Sequence, residues 1–264
     1  MKQAAILLLT LAGAAVGVGQ TTAAPSGRKP EVYTRDTGVQ RALMDLNYDP
    51  SLSLSAVPGH PFSAQVVTTI KRIAEDGVPQ TATVRDLVAR DTRGSWYRES
   101  RISGVTGWLS PYGVSAQVWN PEQQTLMELM MTSKTAVLYR EEPPYIPADK
   151  PGARPQPAVL KEQYGGNAST VREDLGDRKI DGVDVWGTRV TETFAAEVMG
   201  TEKPLTKVIE IWYSQELAMD MEIHVVNPVK GEKTIRIEQL DRHEPDQSLF
   251  QLPPGFTERF EQKR

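Results

Sequence analysis

The chain contains no cysteine. That excludes disulfides, thiolate nucleophiles, Cys-based metal sites and a lipid anchor attached through a cysteine at a leader cleavage point. A chain without crosslinks must be held by its core, and 264 residues suffice for one. Histidine is scarce: His60, His224 and His243 stand far apart, with no pair at four-residue spacing and no H-E-x-x-H. Basic excess is absent as well. The formal net charge of -4 gives no footprint for nucleic acid and no polybasic patch for anionic lipid. Beyond the N-terminal leader no apolar run approaches the roughly 20 residues of a membrane-spanning helix, so the mature chain is expected to be soluble with no stable span.

Catalytic patterns are missing too. Ser115 sits in Gly113-Val-Ser-Ala-Gln, which lacks the second glycine of a nucleophile elbow. Neither a phosphate-binding P-loop nor a G-x-G-x-x-G fingerprint occurs. The carboxylate pairs Glu141/Glu142 and Glu173/Asp174 stand in polar, loop-like surroundings where nothing would split their pKa values, as glycosidase chemistry requires. His243 with Asp241, Glu244 and Asp246 reads as a solvated acidic turn. The expectation is a non-enzymatic protein with no catalytic residue, no metal and no cofactor.

What is present begins with an address. Lys2, an apolar run over 4–18 centred on Ile6 to Leu9, and the small residues Gly17, Gly19, Ala23 and Ala24 make a secretory signal peptide over 1–24, cut between Gly19 and Ala24. A bacterial periplasmic or secreted destination follows. Residues 25–60 read as a flexible N-terminus with a short helix over 37–47, where Val39, Leu43 and Leu46 fall at helical spacing. Strands begin at Phe62. Residues 62–71 alternate, Glu75-Asp-Gly77 turns, 81–90 returns, and 95–102 gives a third strand. A loop over 104–113 carries Trp108. Residues 114–119 and 125–131 form a hairpin whose second arm holds Met127, Met130 and Met131. The Pro-rich stretch 141–158 forbids a central strand or helix and reads as a crossing between halves of one sheet. A further hairpin spans 171–194 and turns at Asp181-Gly182.

The last third is the most regular. Residues 207–214 are rich in Val, Ile, Trp and Tyr. Met219, Met221, Ile223 and Val225 alternate with Asp220, Glu222 and His224, and after the Asn227-Pro-Val-Lys-Gly231 turn Ile235 and Ile237 alternate with Arg236 and Glu238. Roughly ten strands and little helix result. Trp212-Tyr213-Ser214, the 227–232 turn, and Glu244-Pro-Asp246 with Leu249-Phe250 and Pro253 resemble the C-terminal half of secreted bacterial proteins of unknown function. Those are similar to the LolA/LolB-like family, the periplasmic lipoprotein carriers and their relatives. The resemblance runs from about Phe62 to Phe256 and is best from Leu175 onward.

The expected fold is therefore mainly β: a curved antiparallel sheet, an open half-barrel, with one or two short covering helices. It would be a single domain over 61–257, followed by a frayed, charged tail over 258–264. A half-barrel cannot fill its concave face as a small closed barrel does. The residues expected to line that face are Val66, Ile70, Val84, Val88, Leu129, Met131, Ile209, Ile211, Met221, Ile223, Ile235 and Ile237. The plainer reading of the same residues is ordinary core beneath the helix and loops. Two functions stay open. One is a carrier for an apolar ligand, acyl chain or lipoprotein lipid. The other is a cell-envelope sensor or interaction module with a filled core, docking an envelope protein on the Trp108 loop or a sheet edge.

Overall fold

A computed structural model describes residues 31–74, 76–101, 113–140 and 154–261. The leader, the Trp108 loop and most of the Pro-rich crossing lie outside these residues. Among the described residues thirteen strands form one open sheet built from two meanders. The first holds β1 (Phe62–Ile73), β2 (Pro79–Arg90), β3 (Trp96–Ser100), β4 (Ser115–Asn120), β5 (Thr125–Met130) and β6 (Thr135–Arg140). The second holds β7 (Ala158–Gln163), β8 (Ala168–Ile180), β9 (Val183–Phe194), β10 (Leu205–Ser214), β11 (Met219–Asn227) and β12 (Gly231–Asp241). They join where β1 pairs antiparallel with β12. The short β13 (Thr257–Glu261) adds the far edge. The mainly β, open half-barrel expected from the sequence is the fold observed.

Several local expectations are corrected. The helix starts earlier: α1 spans Glu31–Asn47, because Glu31 to Asp36 contain no Gly or Pro to stop it. Residues 258–261 are not a frayed tail but part of β13, which pairs parallel with β6 in an otherwise antiparallel sheet. The charges of Glu258 and Arg259 are typical of an edge strand that must resist pairing with other chains. Strand β3 is five residues long rather than eight. Strand β7 went unseen because Ala-Val-Leu-Lys-Glu-Gln has no alternation. The loop expected after Phe194 holds a single helical turn, α2 (Ala196–Met199). The strands on either side of the Pro-rich stretch, β6 and β7, lie beside one edge of the sheet and at the other.

Strand alternation sorts the side chains onto two faces. The inner face carries the main core: Phe62, Ala64, Val66 and Val88 from the first meander, and Ile209, Met221, Ile223, Val225, Ile235 and Ile237 from the second half. Fully burying one such side chain stabilises the fold by ~1.5–3 kcal/mol. Residues 48–60 form a strap over this face. Leu52 and Leu54 sink into the core, and Leu54 bridges to Met219. The outer face of β2 to β6 carries a second core of Ala89, Tyr97, Ala116, Val118, Leu129 and Ala136. It is covered by Leu249, Phe250 and Phe256 as the chain runs from β12 to β13. Glu244 fixes that path by accepting the Thr92 amide at 3.2 Å.

Buried cations anchor the strap. Arg90, fully buried, donates to the carbonyls of His60, Ser55 and Leu217 and stacks on Phe62. Lys207, also fully buried, donates to the carbonyls of Asp45 and Tyr48 and lies 3.4 Å from Glu192. Asn227 donates to Leu46 O at 2.8 Å. Lys207 and Asn227 satisfy carbonyls of the last turn of α1, and Lys207 places positive charge at the negative end of its dipole. At the β11–β12 turn only glycine fits at 231, where a Cβ would lie 2.2 Å from the Lys71 carbonyl oxygen.

Candidate functional site

Between the strap and the first meander the inner face is not filled. A cavity of about 1210 Å³ opens there. That exceeds the roughly 300–1,000 Å³ of ordinary small-molecule sites. Its floor is built by cross-strand register. Val66 and Thr68 of β1 stand beside Asp86 of β2 and Ile235 of β12. Arg98, Gln117 and Glu128 then face one another across β3, β4 and β5, and Ser100, Ser115 and Met130 form the next row. The strap supplies the opposite wall from Asn47 to Leu52, joined by Lys230 and Lys233.

The wall is apolar at the centre of the sheet and polar toward β5. Its carboxylates already have partners. Asp86 lies 3.1 Å from the Arg101 Nε, and Glu99 accepts from the Leu87 amide and the Tyr97 hydroxyl. Glu128 accepts from Gln117 at 3.1 Å, and Asp49 accepts from Asn227 at 3.1 Å. Two of its cations are differently held. Arg98 donates to the Leu52 carbonyl at 3.1 Å and Lys233 to the Pro50 carbonyl at 2.9 Å. Among the described residues neither has a carboxylate within 4.0 Å. Burial pulls both below their ordinary pKa. Asp86 opposes this at Arg98, whereas Asp49 opposes it at Lys233 and Lys230, Lys207 and Arg98 add to it. Burial also raises Asp86, against the pull of Arg101.

The expected lining residues divide. Val66 and Ile235 line the cavity on the inner face. Leu129 borders it, but register places its side chain with Ala116 and Ala136 in the outer core. Met131 packs against that outer core as well. Val88, Ile209, Met221, Ile223 and Ile237 are buried in the main core, with Ile211 packed against it. Ile70 and Val84 are buried on the inner face away from the cavity. Met130 lines the cavity and is 44% exposed, whereas Met219 and Met221 are fully buried. Sequence reasoning missed the polar wall because it searched the strands for apolar alternation. The same alternation, applied to Asp86, Arg98, Gln117 and Glu128, would have put all four on one face.

Ser115 lines the cavity and donates to the Ser100 carbonyl at 3.4 Å. None of the three histidines is in the wall, and no metal-binding cluster of carboxylates and histidines occurs among the described residues. His224 pairs with Glu232 on the sheet surface at 3.1 Å, and no helix among the described residues is long and apolar enough to cross a membrane.

No family model matches the chain, and no curated protein does. Among solved structures it is similar to the Mycobacterium tuberculosis lipoprotein LppX, with a TM-score of 0.30 and 11% identity over 83% of this chain and 99% of that one. LprF from Mycobacterium bovis gives 0.25 and 13%, covering 83% and 97%. A putative outer membrane lipoprotein-sorting protein domain from Vibrio parahaemolyticus gives 0.20 and 12%, covering 82% and 97%. At such identities and TM-scores the likeness carries no functional argument, which rests on the cavity.

Proposed function

We propose that the protein is an extracytoplasmic, non-enzymatic binding protein that holds an acyl chain, as a free lipid or as part of a lipoprotein, between the strap and the first meander. The observation that carries this reading is the unfilled cavity itself, set beside a core that fills the inner face around Ile209, Met221 and Ile223. Val66, Ile235, Leu52 and Met130 offer the chain an apolar track, and each methylene buried there contributes about 0.8 kcal/mol. Met130 adds a flexible, polarizable surface that adapts to different chains. The leader read from the sequence supports a periplasmic or secreted location.

The test is displacement of a fluorescent fatty-acid analogue. Wild type is expected to bind it saturably, and Met130→Trp, which fills the space from an exposed position, is expected to weaken binding at least tenfold at unchanged thermal stability. Equal binding by both proteins would remove the cavity from the account. The second reading, an envelope interaction module without a small ligand, draws on the second meander, whose inner face is buried core around Ile209, Met221 and Ile223. It predicts no saturable binding by wild type.

A further inference from the structure

We infer that the cavity is built for an amphiphile with an anionic head, a carboxylate or phosphate, which Arg98 and Lys233 receive while the chain lies along Val66 and Ile235. The inference rests on the binding reading above and deepens it. The argument is one of hydrogen-bond accounting. Arg98 has five N–H donors and Lys233 three. The contact described for each is one bond to the strap, to the carbonyls of Leu52 and Pro50. The wall also holds carboxylates that could have neutralised them, yet each of these is committed elsewhere: Asp86 to Arg101, Glu99 to Leu87 and Tyr97, Glu128 to Gln117, Asp49 to Asn227. Spare donors on two partly desolvated cations, facing a cavity, are what an anion would satisfy, and charge-assisted bonds of that kind are roughly twice as strong as neutral ones.

The electrostatics agree with the geometry. Lys233 feels the positive charge of Lys230, Lys207 and Arg98, and only Asp49 opposes them. Gathering like charges in a half-buried place costs stability, and an incoming anion relieves that cost. The placement of the donors sets the ligand's direction. Both cations lie beside the strap, at Leu52 and Pro50, whereas Met130 and Ser115 stand at the β4–β5 side of the cavity. The head therefore seats under the strap, with Val66 and Ile235 of the cavity floor beside it for the chain.

A purely structural role for the two cations, holding the strap by its carbonyls, predicts no preference among ligand heads. Titration calorimetry of the purified protein with dodecanoate, dodecyl phosphate and methyl dodecanoate separates the two. The expected result is at least tenfold tighter binding of one or both anions than of the ester. In Lys233→Met and Arg98→Met the anion-to-ester ratio is expected to fall toward one while ester affinity stays put, which also shows that the variants are folded. Which anion prefers the site tells carboxylate from phosphate, and either preference supports the inference. Equal binding of ester and anions by wild type overturns the inference and leaves the binding reading standing, as does a variant that weakens ester and anions alike. Absence of binding for all three removes both.

Discussion

The two meanders have six strands each, yet their inner faces have had opposite fates. The second presents Ile209, Ile211, Met221, Ile223 and Val225 to the strap, and Ala168 and Phe194 to α1. The first presents Asp86, Arg98, Gln117 and Glu128 beyond its apolar base, and the strap meets this wall at Arg98 while the cavity stays open beside it. Apolar area removed from water is the main driving force for covering a sheet. A polar wall satisfied by its own cross-strand pairs gives a cover little to gain. The difference shows how one sheet can be core on one side and container on the other.

The contrast can be broken most severely in the filled half. Met221→Ala is expected to cost ~2–5 kcal/mol in urea unfolding, as cavity-forming substitutions do, because the side chain is fully buried. Met130→Ala, the matching change in the container half, is expected to cost under ~0.5 kcal/mol.

Next in size is Arg90→Met. It strands the carbonyls of His60, Ser55 and Leu217, and a loss of about 3 kcal/mol is expected. Hydrogen exchange should localise the loosening to residues 48–60.

Asp220 sharpens the comparison through pH. It is buried on the filled side, accepts the Ser53 amide at 2.9 Å, and burial pushes it up to about 7, against the lowering effect of that amide. Its unfolded value is about 3.9. Between roughly pH 4 and 7 the folded state keeps a proton that the unfolded chain releases, so stability falls as pH rises through that window. Asp220→Asn keeps an acceptor for Ser53 and should flatten this part of the curve. An unchanged pH profile would mean that the carboxyl is hydrated and the strap looser than described.

The smallest stability effect is expected for Met130→Glu, at or below about 0.5 kcal/mol, with loss of acyl-chain binding as its signature.

The sequence made the strand system legible because period-2 alternation and tight turns are local signals. Residues 219–226 and 234–240 are close to β11 and β12 as observed. It did not show which strands meet across the sheet. The β1–β12 pairing that unites the meanders spans most of the chain, and nothing in either strand names its partner. The strap was opaque for a similar reason: residues 48–60 hold two prolines and a glycine and read as punctuation, yet Leu52 and Leu54 enter the core once Arg90 and Lys233 fix the strap's carbonyls. Of the site, Val66 and Ile235 were readable as inward-facing apolar residues. Leu129 was assigned to the wrong face because no period-2 pattern marks a side in Leu-Met-Glu-Leu-Met-Met. Arg98 and Lys233 were passed over because charge on a strand is ordinarily a solvated face.

The central claim, that one half of the sheet is a container, is tested most directly by native mass spectrometry of the mature protein, isolated gently and followed by organic extraction. The account predicts one acyl-bearing species per chain, absent from Met130→Glu isolated in the same way. A clean apo mass that stays unchanged when lipids are added would contradict it.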